Sequence, residues 1–97
     1  MSQGRKLRIA VVGCGRISKN HFGAIAQFSS DLELAAVCDI DRSSLAQHVS
    51  EYGVPGFERL EELLAEQKLD LVSLCTPSGL HAEQAIHAAN AGVHVIS

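Results

Sequence analysis

The chain reads as an α/β protein of the doubly wound class: a parallel sheet with helices on both faces and strand order 3-2-1-4-5. Three observations predict this. Apolar runs at Leu7–Val12, Leu32–Cys38, Leu69–Cys75 and Val93–Ile96 are nearly continuous rather than alternating, which is how strands buried on both faces read. The stretches between them carry apolar residues at helical spacing. Strand and helix patterns alternate, and right-handed crossovers then build the sheet outward on both sides of the first strand.

The elements follow in the order β-α-β-α-β-α-β-α-β. The first strand is Leu7–Val12, and the first helix carries Ile17, His21, Ala24, Ile25 and Phe28 on one stripe. The second strand, Leu32–Cys38, leads to a helix striped by Leu45, Val49 and Tyr52. Asp41, Ser43 and Ser44 are placed to cap that helix, and Gly53 and Gly92 stand where C-terminal glycines belong. The third strand has only Val54-Pro55-Gly56-Phe57 to draw on, and Pro55 suits an edge position. Leu60, Leu63 and Leu64 mark a third helix, Leu69–Cys75 a fourth strand, and Ala82, Ala85, Ile86 and Ala89 a fourth helix. Val93–Ile96 is the fifth strand. Arg8, Glu33, Asp70, Ser73 and His94 are the polar exceptions within the apolar runs. The sequence stops inside or just after a central-looking strand, which predicts that residues 1–97 are one domain, the front piece of a longer protein.

Composition narrows the function classes. The 97 residues are 46% hydrophobic and 20% charged, with eight Lys and Arg against eleven Asp and Glu for a net charge of −3. This balance argues against electrostatic wrapping of nucleic acid or an anionic membrane. Apolar runs of about six residues are too short to span a bilayer. The basic start is followed by Ile9–Val12, too short for a signal-peptide core, so a cytoplasmic protein is expected. Cys14, Cys38 and Cys75 contain no C-x-x-C pair, and no metal site is expected. Each cysteine ends an apolar run, so parallel strands gather all three at one sheet edge, where small buried thiols are the simpler account.

The first strand runs into Gly13-Cys14-Gly15-Arg16-Ile17-Ser18, a G-x-G-x-x-S loop before a helix. Gly13 permits the tight turn, and Gly15, without a Cβ, lets a pyrophosphate approach the backbone. Ser18 takes the third position, which usually holds Gly or Ala for close helix–strand packing. The free N–H groups at the helix start favour phosphate. Asp39 ends the second strand 21 residues after Ser18, where a carboxylate accepts hydrogen bonds from a ribose diol and repels a 2′-phosphate. This combination predicts dinucleotide binding, with NAD favoured over NADP. Ile40 is a candidate for the adenine pocket. Arg42 blurs the cofactor preference, since it can accept a 2′-phosphate, stack over adenine or lie in solvent. The plainer alternative is a tight βα turn with Asp39 as a strand-end cap. The fourth strand ends in Cys75-Thr76-Pro77-Ser78-Gly79-Leu80-His81. In this topology Thr76, Pro77, Ser78 and His81 face the glycine loop across the crevice; alternatively they form a capped connection to the next helix.

Together, G-C-G-R-I-S-x-x-H-F, C-D-I-D, C-T-P-S-G-L-H and G-V-H-V-I-S resemble the Gfo/Idh/MocA oxidoreductases over residues 5–97. Within that family, C-T-P-S-G-L-H is most similar to UDP-N-acetylglucosaminuronate 3-dehydrogenases of surface-polysaccharide biosynthesis. The resemblance implies a Rossmann fold holding NAD. Arg16 and Ile17 would meet the pyrophosphate and Asp39 the adenosine ribose, with Thr76, Pro77, Ser78 and His81 along the nicotinamide side. His21 and His94 match family positions that often carry histidine, and both are read as structural. The family's Glu-Lys-Pro motif and its substrate domain would lie beyond Ser97, so no catalytic residue is carried over. The expected activity is that of a longer protein, a homo-oligomer. It is hydride transfer between nicotinamide and a secondary alcohol of a sugar or UDP-sugar, C3 of a UDP-N-acetylhexosaminuronate in the finest reading. A non-catalytic NAD(H) or nucleotide-binding module is the competing function.

Overall fold

The computed structural model describes residues 6–13, 18–28, 30–75 and 78–96, with the side chains of 18–21 and 78–82 left aside. Five strands and four helices alternate: β1 Leu7–Val12, α1 Ser18–Gln27, β2 Leu32–Cys38, α2 Arg42–Tyr52, β3 Gly56–Phe57, α3 Leu60–Glu66, β4 Leu71–Leu74, α4 Ser78–Asn90 and β5 His94–Ile96. The strands form one sheet in the order β3-β2-β1-β4-β5, and every pairing is parallel. This is the predicted topology. A bulge between Ile9 and Ala10 skips Ala35 and shifts the β1–β2 register.

Burial is concentrated in the C-terminal halves of the central strands. Ile9 to Val12, Ala35 to Cys38 and Val72 to Leu74 are all buried. The pleat sends Ala10, Val12, Ala36, Cys38, Val72 and Leu74 to one face, against Leu60, Leu63 and Ala88 from α3 and α4. Ile9, Val11 and Val37 go to the other face, against Phe22 and Ile25 of α1 and Leu45 of α2. Each fully buried Val or Leu contributes about 1.5–3 kcal/mol. Phe22 also stacks on Tyr52 at 4.4 Å and His48 at 5.3 Å, which ties α1 to α2. His48 Nδ1 lies 2.7 Å from the Ser44 carbonyl and donates to it in the tautomer with the proton on Nδ1.

Two helix faces differ from the expected stripes. In α1 the inward residues are Phe22 and Ile25, while Phe28, just past the helix end at Gln27, is 51% exposed although its N–H still donates to the Ala24 carbonyl at 3.0 Å. In α4 the buried position is Ala88, with Ala85 beside the core, and Ile86 is 61% exposed. One residue is about 100° of helix, so a stripe that includes Ile86 points the helix wrongly. Small alanines on the inner face let α4 lie close to the sheet.

Two strands are shorter at their starts than the apolar runs suggested. β4 begins at Leu71 rather than Leu69, and β5 at His94 rather than Val93. The ladder still extends past them: Asp70 N donates to Arg8 O at 2.8 Å, and His94 N to Asp70 O at 3.1 Å. β3 pairs only at one side, Val37 with Gly56 and Cys38 with Phe57, so the proline before it sits on the sheet edge as expected. Among the described residues no helix is long and apolar enough to cross a membrane.

Candidate functional site

In an open parallel sheet the ligand crevice lies beyond the strand C-termini, where the order reverses. Here that place is the β1–β4 junction, with β2 adjoining. Gly13 follows β1 at φ 86°, a left-handed conformation that L side chains rarely adopt, so glycine is required for the chain to leave the strand there. Its N–H donates to the Cys38 carbonyl at 2.7 Å, and Cys75 N–H donates to the Val12 carbonyl at 2.8 Å. These two bonds bring the ends of β1, β2 and β4 together at one edge. The backbone of α1, the helix after β1, starts at Ser18, and that of α4, the helix after β4, at Ser78. Gly15, Arg16, Ile17, Thr76 and Pro77 lie outside the described residues, as do the side chains of Ser18, Ser78 and His81.

The turn from β2 into α2 lies entirely within the described residues. Asp39 follows β2, and its N–H donates to the Phe57 carbonyl at 3.0 Å. Its Oδ1 accepts from Asp41 N–H at 2.9 Å. Asp41 in turn caps α2, with Oδ1 accepting from Ser43 N–H at 2.9 Å and Ser44 N–H at 3.3 Å. Ser43 and Ser44 therefore receive the cap rather than provide it. Gly53 closes the same helix at φ 65°. The Asp39 carboxylate is thus both a turn acceptor and a group at the crevice rim; one oxygen fixes the turn. Ile40 is 84% exposed, an apolar side chain presented beside that rim. Arg42 Nε lies 2.8 Å from Glu58 Oε2, so the guanidinium is ion-paired rather than simply solvated.

Glu58 was not singled out by the sequence. It follows Phe57 in β3 as Asp39 follows Cys38 in β2, and Cys38 pairs with Phe57. Their adjacency needs the pairing register, which no local pattern reveals.

Of the three cysteines, Cys38 is buried and Cys75 partly buried; Cys14 lies outside the described residues. Burial raises the Cys75 thiol pKa, opposed by a contact with Ser73 Oγ at 4.0 Å, so the thiol is neutral at physiological pH. Among the described residues no cluster of three His, Cys, Asp or Glu could hold a metal ion.

A groove of about 780 Å³ opens at the opposite edge, lined by Arg8, residues 64–70, Ala91 and Val93. It lies at the strand N-termini, away from the crevice. Arg8 spans it: Nε donates to Lys68 O at 2.7 Å, Nη1 to Glu33 Oε2 at 3.2 Å and Nη2 to Gln67 Oε1 at 3.1 Å.

The residues present fit a dinucleotide: a glycine at positive φ turning the chain at the switch point, and a carboxylate ending the neighbouring strand. Known proteins agree. The NAD-binding Rossmann-fold model of the oxidoreductase family Gfo/Idh/MocA matches residues 7–97. D-glucoside 3-dehydrogenase of Escherichia coli (strain K12) is 37% identical over 92 residues, 93% of this chain and 26% of that protein. 4-Carboxy-2-hydroxymuconate-6-semialdehyde dehydrogenase of Sphingobium sp. is 34% identical over 90 residues, 92% of this chain and 28% of that protein. The WlbA dehydrogenase from Bordetella pertussis, solved with NADH and UDP-GlcNAcA, superposes with a TM-score of 0.91 at 48% identity, covering 94% of this chain and 28% of that one. The chain therefore spans little more than a quarter of the length of these relatives. With the family model matched across nearly all its residues and the sheet order and glycine turn in place, the chain belongs to the Gfo/Idh/MocA oxidoreductase family as an NAD-binding Rossmann domain.

Proposed function

We propose that residues 1–97 form the cofactor-holding domain of a dehydrogenase that oxidises or reduces a secondary alcohol carbon of a sugar or nucleotide sugar, C3 of a UDP-N-acetylhexosaminuronate in the finer reading. The observation that carries the cofactor part is the convergence of Gly13, at φ 86°, with the end of β2 that presents Asp39. The backbone N–H groups from Gly13 through Ser18, with Gly15, Arg16 and Ile17, would hold the pyrophosphate at the α1 N-terminus. The Asp39 carboxylate would accept from the ribose diol, with Ile40 against adenine and Arg42 at the ribose rim. Thr76, Pro77, Ser78 and His81 would flank the nicotinamide. Hydride exchange belongs to the bound cofactor; the domain's part is to orient it. The sugar part draws support from the D-glucoside and UDP-GlcNAcA relatives, and the semialdehyde dehydrogenase among the relatives is why the finer reading needs its own test. A homo-oligomer acting in the cytoplasm is part of the same proposal.

The test is calorimetric titration of the intact protein with NAD and NADP. The expected result is NAD binding, weakened at least about tenfold by Asp39→Ala, the size of a lost hydrogen bond to a charged group. Binding of neither cofactor at millimolar concentration refutes the dinucleotide reading. Absorbance assays with free sugars and UDP-sugars then decide the substrate; turnover of free sugars alone refutes the UDP-sugar reading.

A further inference from the structure

We propose that Glu58 is a specificity-determining residue for the cofactor, holding Arg42 away from a 2′-phosphate and adding a carboxylate beside Asp39. The inference rests on the dinucleotide reading of Asp39. The geometry behind it is local. β3 pairs with β2 through Cys38 and Phe57, so Asp39 and Glu58 leave the sheet side by side. Asp39 N–H donates to the Phe57 carbonyl, which fixes that adjacency. Arg42, in the first turn of α2, reaches back and places Nε 2.8 Å from Glu58 Oε2.

An arginine near the ribose is the usual means of accepting a 2′-phosphate, because the guanidinium offers paired donors and a fixed charge. In this chain that means is already engaged. Among the described residues the rim carries the carboxylates of Asp39, Asp41 and Glu58 beside the guanidinium of Arg42, while Arg59, next to Glu58, pairs with Glu61 at 3.7 Å. A phosphate dianion arriving there meets net negative charge and must compete with Glu58 for Arg42. A ribose 2′-hydroxyl meets no such penalty, since it donates to a carboxylate. Asp39 alone explains a preference for NAD; Glu58 explains why Arg42, three residues later, does not reverse it. Arg42 is 84% exposed at its side chain and Glu58 44%, so solvent screens the pair and the effect is modest.

The experiment is titration of the intact protein with NAD and with NADP, for the wild type, Glu58→Gln, Glu58→Gln/Arg42→Ala and Asp39→Ala. Glu58→Gln is expected to tighten NADP binding about fivefold and leave NAD within about twofold, as suits the upper range for one exposed ion pair. The second substitution, Arg42→Ala, is expected to abolish that gain. An unchanged NADP-to-NAD ratio in Glu58→Gln overturns the proposal, as does a gain that survives in the double variant. If the wild type binds NAD and Asp39→Ala loses it while Glu58→Gln changes nothing, the inference fails and the dinucleotide reading stands. If the wild type binds neither dinucleotide, both fail.

Discussion

Replacing Arg8 by Met tests whether the polar N-terminal edge of the sheet holds the chain together or merely decorates it. The substitution keeps the apolar stem and removes the guanidinium. Three hydrogen bonds vanish: to Lys68 O at 2.7 Å, Glu33 Oε2 at 3.2 Å and Gln67 Oε1 at 3.1 Å. They tie β1 to β2 and to the segment entering β4. The backbone bond from Arg8 N to Asp70 Oδ2, 2.8 Å, survives. Each lost bond is worth about 0.5–1.5 kcal/mol net, and the exposed pair with Glu33 falls at the low end. With the arginine side chain 32% exposed, water satisfies part of what is lost, and the expected total is about 1–3 kcal/mol. In a domain of this size that lowers Tm by roughly 4–8 °C per kcal/mol. The assay is urea denaturation with the slope m unchanged and the midpoint lowered. Coupling between Arg8→Met and Glu33→Gln in a double-mutant cycle is expected below about 1 kcal/mol, since that pair is only one strand of the clamp. A loss under about 0.5 kcal/mol, the scale of an ordinary surface substitution, would refute the clamp. NAD affinity is expected to stay unchanged, because the clamp and the crevice lie at opposite sheet edges.

Three more expectations follow from local geometry. A Cβ on Gly56 would overlap Val49 Cγ2 and lie 2.9 Å from Leu45 Cδ1, so Gly56→Ala should push α2 from β3 and cost about 1–3 kcal/mol in a urea melt. Asp41→Ala removes the α2 cap and should cost about 1 kcal/mol, read as a lower midpoint with the Asp39 turn bond intact. Burial raises the folded pKa of Cys75 above its ordinary value of 9.0, so its neutral thiol contributes stability that is complete below that value and is lost as pH rises through the folded pKa. Urea midpoints on either side of 9.0 should fall more steeply for the wild type than for Cys75→Ala; parallel curves would show that the buried thiol is not the cause.

The fold was legible because its strongest signals are local. β1 and β2 match their apolar runs residue for residue, and the burial of their C-terminal halves on both faces marks where the pleated structure stops. The helix faces were less legible. Phe28 and Ile86 belong to an apolar periodicity but lie outside the buried face, because one residue of phase error turns a helix by about 100°. Alanine also carries little hydropathic weight, so the inner face of α4 at Ala85 and Ala88 gives a weak signal next to Ile86. The polar exceptions were visible but not their grouping. Arg8 pairs with Glu33 across the β1–β2 register, and Asp70 accepts from Arg8 N–H, so three apparent interruptions make one cluster.

The candidate site divides along the same line. Gly13 could be read from sequence because the backbone turn after β1 demands a glycine, and Asp39 because the proposed ribose contact would use an acid at the end of β2. The roles of their neighbours depend on contacts across the sheet. Asp41 reads as a cap in any local analysis and is one, yet it also donates its own N–H to Asp39 and so positions the carboxylate that would meet the ribose. Arg42 has several possible partners in sequence, and only the short β3 strand brings Glu58 within 2.8 Å of it. A two-residue edge strand thus contributes little core but sets which carboxylate Arg42 meets at the crevice rim. Without the pairing of β3 to Cys38 the rim would lose the Glu58 carboxylate and leave those of Asp39 and Asp41 beside Arg42.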